Sequence, residues 1–487
     1  MSRAHFAVLL ACVFACTDQT EPPPAATTQP DDVTLEDGAS GVELELNTGG
    51  VDREARTALS GGATTIFDAT NEAFETAAPN LAGNNLARHE AGDVAFELAH
   101  VEGAGVDGNG GLGPVFDNVS CEGCHLGDGR GQPPSDGKTF TSMLFRSSVT
   151  GQDANGGPLG IPGGFGGQLQ TQSVLSSKPD VLAGVYYTAL SGSFADGTPF
   201  ELQEPHYTLQ GVYPGLPVGF LFSPRVAPVV FGLGLLEAVP ELSIIARSDP
   251  RDFNRDGVSG RANIVYDAVH KRRSIGRFGW KANTPNLLQQ TAGAYNGDMG
   301  VTSDLFPSES CAGRGTDAPD CNTAHGPEVN AQTVADVALY TQTLAVPARR
   351  NLNDPTNRRG ELIFYASGCD GCHTPTLRTG SLRGVPEVSN QVIHPYTDLL
   401  VHDMGPALAD GRPDFQASGS EWRTPPLWGI GLVQTVNGHT RFLHDGRARS
   451  LLEAVLWHGG EATKARDRVK GLSQPDRDAL IAFLNSL

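Results

Sequence analysis

Two pentapeptides, Cys121-Glu122-Gly123-Cys124-His125 and Cys369-Asp370-Gly371-Cys372-His373, constrain this chain more than anything else in it. Two cysteines spaced by two residues, with a histidine directly after the second, form the attachment site of a c-type haem. The thiols make thioethers to the porphyrin vinyls, and the histidine reaches the iron as proximal ligand. Two covalent haem c groups are therefore expected, one on Cys121, Cys124 and His125, the other on Cys369, Cys372 and His373. A CxxC pair alone also suits a zinc knuckle or a redox dithiol. Those readings leave two adjacent histidines unexplained, and zinc needs further ligands at suitable spacing. Gly113 and Phe116 precede the first motif as Gly360 and Phe364 precede the second, which predicts a short helix leading into each.

The chain has 487 residues, enough for two or three domains. Asp and Glu outnumber Lys and Arg by 55 to 35, and no basic run is present, so a nucleic-acid partner is not expected. An acidic surface suits a basic electron-transfer partner. Gly (60) and Pro (33) are abundant while 18% of residues are charged, the composition of a loop-rich protein wrapped around something rigid.

The start of the chain predicts export. Arg3 gives a positive n-region, Phe6 to Phe14 an apolar stretch, and Val13-Phe14-Ala15-Cys16 resembles the lipobox of bacterial lipoproteins. A spanning helix needs roughly 20 apolar residues, more than this segment offers. Cys12 is a rival acylation site, and an ordinary signal peptide is the alternative. We expect a leader at 1–16 and a membrane lipid anchor, with a periplasmic or cell-surface location. Residues 17–61, with Pro22-Pro23-Pro24 and few aromatics, read as a disordered tether.

Residues 62–345 are expected to form an N-terminal haem domain with insertions, and 346–487 a cytochrome c-like domain. The fold class is mainly α, with two cytochrome c-like haem domains, long loops and small β elements. Helical patterns run through Phe67 to Leu98, broken by Pro79, then Gln332 to Leu344, Arg358 to Ala366, from Ser450, and Gln474 to Leu487.

Several residues carry candidate chemistry. Arg130, in the Gly127–Gly131 loop, suits a haem propionate. Glu237 lies in a mostly apolar run, where a carboxylate is costly unless paired or protonated. A raised pKa would suit a general acid; helix capping or pairing with Arg225 is the structural alternative. Asp252, Asn254 and Asp256, followed by Gly257, match the first half of a calcium loop, but Asn263 replaces the bidentate glutamate at position 12. A self-bonded Asx turn is the other reading. Trp280 is one of four tryptophans and is either a redox bridge or a packing residue. Cys311 and Cys321 are expected to form a disulfide in an exported protein. For the sixth position of the second haem the candidates are Met404, His458 and, less suitably, His444, whose neighbours suggest a turn. His206 is a weak candidate at the first haem.

Taken together, CEGCHLGDGRG (121–131), FNRDGVSGRANI (253–264), GRFGWKA (276–282), GDMG (297–300), GCDGCH (368–373), LLVHDMGP (399–406), WRTPPLWGIG (422–431) and FLHDGRARSLLEAVLWHGG (442–460) resemble the di-haem oxidoreductase family. That family is related to bacterial dihaem cytochrome c peroxidases and to the dihaem enzyme that matures methylamine dehydrogenase. The resemblance covers most of 62–487. It implies that the helix after the FLHDG-like segment ends on the distal ligand of the C-terminal haem, which falls on His458 where relatives carry methionine or tyrosine. It also implies a tryptophan between the haems and a cation near the interface, for which Trp280 and the Asp252 loop are the candidates.

The resulting expectation is an exported haem-dependent oxidoreductase, peroxidase-like. Hydrogen peroxide would be reduced at the N-terminal haem with Glu237 moving the proton. Electrons from a donor protein or the quinol pool would pass through the C-terminal haem and Trp280. A non-catalytic electron-transfer cytochrome, or an oxidase of a protein or organic substrate, is the alternative.

Overall fold

Caps written into the sequence start the helices that matter for the site. We label six: α1 (Gly83–Glu97), α2 (Leu287–Met299), α3 (Ala331–Thr343), α4 (Pro355–Ala366), α5 (Leu451–Trp457) and α6 (Gln474–Ser486). Asn286 accepts from Gln289 N at the start of α2, and Gly300, at φ 70°, ends it in the left-handed conformation. Asp354 accepts from Thr356 N and Asn357 N ahead of Pro355, and Ser450 accepts from Glu453 N to begin α5.

The computed structural model describes residues 51–106, 108–212, 215–314, 321 and 326–487. The leader, both of its cysteines and the tether up to residue 50 lie outside these. No helix among the described residues is long and apolar enough to cross a membrane.

The mainly α expectation holds only in part, because helices take 27% of the described residues and strands 20%, in small sheets with no barrel among them. Strand β1 (Met143–Gln152) pairs with β2 (Gln168–Leu169) and with β5 (Leu221–Val226), Phe145 standing opposite Leu169 and Pro224. Between them β3 (Val181–Ser193) and β4 (Pro199–Gly211) make a long antiparallel hairpin. Its turn carries Asp196 and Gly197, the latter at φ 84°. The helical pattern from Phe67 shrinks to α1, which begins after Pro79.

The helix expected before the second haem motif is α4, and a turn through Gly368, at φ 78°, delivers Cys369. Between α1 and the first motif no helix occurs among the described residues. Val115–Phe116 is a short strand paired with Gln172–Ser173. Gly113 there is needed for close approach, since a Cβ on it would stand 2.6 Å from Gly300 Cα. Gly360 serves the same end in α4, where a Cβ would collide with the carbonyl of Ala479 in α6.

Two apolar cores result. One joins Phe96, Tyr295, Met299 and Tyr340 to Leu399 and Trp428; the other joins Phe145 and Trp280 to Phe364, Trp422, Trp457 and Phe483. Each core draws residues from both sides of position 345. Thr65–Ile66 also pairs in parallel with Val346–Pro347, and the described residues all fall in one compact unit.

Candidate active site

Both CxxCH segments close on themselves in the same way, His125 N donating to Cys121 O and His373 N to Cys369 O, each at 3.0 Å. All four cysteines of the two motifs are free of disulfides. One large cavity is lined from both motifs, by Cys121, Cys124 and His125 and by Cys372 and His373. His458 lies on its wall too, at the end of α5.

The orientation of these imidazoles suits a metal. His125 Nδ1 donates to Pro228 O at 2.7 Å, His373 Nδ1 to Tyr396 O at 3.0 Å and His458 Nδ1 to Ala454 O at 2.7 Å. A proton held on Nδ1 leaves the Nε2 lone pair for iron. Burial lowers the pKa of all three, His373 to about 4, so the rings stay neutral. His458 contributes to the lowering at His373, so the two imidazoles are electrostatic neighbours. Among the described residues no second histidine acts on His125. The donor set thus fits two haems: Cys121, Cys124 and His125 would hold one, and Cys369, Cys372, His373 and His458 the other.

The remaining candidates separate. Met404 lines the cavity as well. His402, two residues earlier, does not offer a ligand, since Asp398 Oδ2 and Glu461 Oε2 take its two nitrogens at 2.8 Å each. Burial pulls its pKa down, but those bonds hold it well above the usual histidine range. His444 stacks on Trp422 with ring centroids 3.7 Å apart and is pushed down to about 3 by burial. His206 lies on the β3–β4 hairpin, bonded to Thr188 Oγ1 and stacked on Tyr186.

Trp280 is buried in the cavity wall, its Nε1 donating to Val226 O at 2.8 Å. The Arg130 guanidinium lies 5.1 Å from the centre of the indole and donates to Arg441 O and Leu443 O. Its neighbour Lys281 is fully buried, with Nζ bonded to Asp410 at 2.8 Å and poised 4.4 Å above Trp422. Burial lowers its pKa to about 8.

Glu237 does not line the cavity. Its Oε1 accepts from Leu287 N at 3.0 Å, capping α2, and Oε2 accepts from Gln342 Nε2 at 2.6 Å. Burial raises its pKa against those two bonds. This is the capping alternative; Arg225 pairs instead with Asp414 at 3.1 Å. The 252–257 loop is closed by its own donors: Gly257 N binds Asp252, Asp256 N binds Asn254 Oδ1, and Asn254 Nδ2 binds Asp256. Lys464 Nζ also donates to the backbone carbonyl of Asp256 at 2.7 Å, bringing a positive charge up to the loop. Among the described residues no group of three or more His, Cys, Asp or Glu is arranged to hold a metal ion. Asn263, at the calcium-loop position 12, is buried and bonds Lys281 O and Asp414 O. Cys311 and Cys321 are bonded to each other.

The family described as "Di-haem oxidoreductase, putative peroxidase" matches residues 55–216 and 219–487. The chain belongs to that family. Two haem cofactors and oxidoreductase chemistry come with membership in the di-haem oxidoreductases. No curated protein matches this di-haem oxidoreductase. Among solved structures, a Kuenenia stuttgartiensis hydrazine synthase chain, pressurized with 20 bar xenon, aligns at 13% identity over 96% of this chain and 100% of that one. The TM-score is 0.33, too low to carry an argument.

Sequence reasoning passed over Asp117 and Asp298, which line the cavity beside the first motif. Asp298 stands inside the GDMG segment, and an acid in that position was the available signal.

Proposed function

We propose that this chain is an exported dihaem c-type oxidoreductase that reduces hydrogen peroxide at the site around His125 and draws its electrons through the site around His373. The observation that supports this division is the asymmetry of the cavity: the His458 imidazole acts on His373, whereas among the described residues no second histidine acts on His125. A haem when bound supplies the electron-transfer chemistry; the protein decides ligation, access and dryness. Cys121, Cys124, Cys369 and Cys372 would fix the two groups covalently, and His458 would close the sixth position on the C-terminal side. Burial keeps His125 and His373 neutral, the form in which imidazole ligates. Trp280 would carry the relay; its position in the wall of a cavity reached from both motifs and its bond to Val226 O support that reading. The Arg130 guanidinium shields that indole from one side. Export and lipid anchoring through Cys16, with a donor protein or quinol pool as electron source, complete the proposal.

The deciding experiment is absorption and electron paramagnetic resonance of the holoprotein, oxidised and half-reduced, with and without hydrogen peroxide. One haem that is high-spin, or becomes so on half-reduction, and that reacts with stoichiometric peroxide is the expected result. Two low-spin haems indifferent to peroxide would make the chain an electron-transfer cytochrome instead.

A further inference from the structure

Beside the haem cavity lies a second one of about 460 Å³, lined by Arg146, Gln168, Gln170, Asn296, Gly297 and Ser310. Its rim includes the exposed residues Gly167, Pro307 and Ser308, so it is reached from solvent. The two cavities are nearly continuous. Arg146 lines both, and Gly297 faces the second while the next residue, Asp298, faces the first.

The partition is built from polar groups. Gln168 Nε2 donates to Asp117 Oδ2 at 2.7 Å, to Asp298 Oδ1 at 2.9 Å and to Gly297 O at 2.9 Å. An amide nitrogen has two hydrogens, so three acceptors compete for them. Two carboxylates that converge on one nitrogen repel each other unless a proton lies on one of them. The pair is held rigidly, since Asp117 N donates to Asp298 O at 2.8 Å and Thr171 N and Oγ1 both bond Asp117 Oδ1 at 3.1 Å. Gln168 and Gln170 are 4% and 2% exposed, yet neither Oε1 has a hydrogen-bond partner. Two buried acceptors with no protein donor are what a chamber of ordered water satisfies. Burial first, and the Asp298 carboxylate second, push Asp117 up to about 7. The charged or titratable groups facing it are Asp298 on α2, Arg146 on β1, Cys124 in the haem loop and, next to Gln170, Asp180.

We propose that Asp117 and Asp298 hold one proton between them, take it from water in the second cavity and present it to the site around His125. This rests on the peroxide-reducing reading for the use made of the proton. Reduction of one hydrogen peroxide to two waters consumes two electrons, from the donor, and two protons, which this route supplies. Asp117 is a proton-holding residue on the cavity wall, eight positions before His125 and not bonded to it.

The test uses the holoprotein with Asp117→Asn, Asp298→Asn and Ser308→Trp, the last at the exposed rim. Infrared difference spectra across a pH titration should show a buried protonated carboxyl band that vanishes as pH rises through about 7. Asp117→Asn should abolish the band, Asp298→Asn should shift its midpoint downward, and Ser308→Trp should slow its exchange in heavy water. Single-turnover reaction with peroxide should fall by about 100-fold in Asp117→Asn and lose its pH dependence, with the haem spectra unchanged. No such band in the wild type, or a band indifferent to Asp117→Asn, overturns the proposal. An Asp117→Asn protein that keeps the wild-type rate overturns proton delivery even if the band is present. If the wild type ignores peroxide, the functional reading fails, and the band still decides whether the pair holds a proton.

Discussion

His373 and His458 face one cavity with their Nδ1 hydrogens locked on the carbonyls of Tyr396 and Ala454, so that Nε2 of each is the nitrogen left able to ligate. His458 is the C-cap of α5, so a helix end fixes its position. A His458→Gly protein should convert one six-coordinate haem to a high-spin form, whereas Met404→Leu should leave the spectrum unchanged. The reverse pattern in absorption and paramagnetic resonance would assign the ligand to Met404.

Trp280→Phe removes the donor to Val226 O inside the core. An orphaned buried carbonyl costs about 1–3 kcal/mol, which a denaturant titration reads as a lower midpoint. Both haem spectra should persist while electron equilibration between the haems slows by about tenfold, a barrier increase of roughly 1.4 kcal/mol. An unaltered rate would remove the indole from the relay.

Glu237→Ala should behave as the loss of a cap. It strips partners from Leu287 N and Gln342 Nε2, so stability should fall by about 1–2 kcal/mol. Peroxide turnover at matched haem content should hold. A large loss of turnover with stability intact would restore the general-acid role.

The pH dependence of stability has a definite sign at Asp117. Its folded pKa, about 7, lies above the ordinary aspartate value of 3.8, so the folded state binds more protons between those values. Stability from this group is therefore full at low pH and is lost as pH rises through about 7, by at most roughly 1.4 kcal/mol per pH unit. Asp117→Asn should flatten that part of the curve in chemical denaturation across pH 4 to 8.

Replacing Cys311 and Cys321 with serine opens a loop whose closure is worth about 3 kcal/mol in the chain-entropy account. Thermal unfolding of the double variant should move down by several degrees, and the reduced wild type should match it.

Local signals were the legible ones. The CxxCH spacing, the cap before Pro355, the end of α5 at His458 and the amphipathic α6 can each be read within a few turns of chain. The hairpin was also written there, in the Asp196–Gly197 turn between runs rich in aromatic and β-branched residues, but haem motifs biased the reading toward helices. Glu237 misled because an acid in an apolar run does not disclose that its partners are a helix start 50 residues on and Gln342 beyond it. The acid of GDMG was a visible signal, but the pairing of Asp117 with Asp298 was out of reach for the same reason. Their meaning comes from Gln168, which stands between them in space and in sequence but belongs to another strand.

The cavity bears on how the molecule is assembled. Its walls run from Phe96 to Ala462, so the pocket around Cys121 and Cys124 is finished only when residues near the C-terminus arrive. A group attached at Cys121 and Cys124 would therefore be walled in part by residues from the last third of the chain. The first site is thus a product of the whole fold, and a CxxCH segment cut from its later neighbours would lack the walls that surround it here.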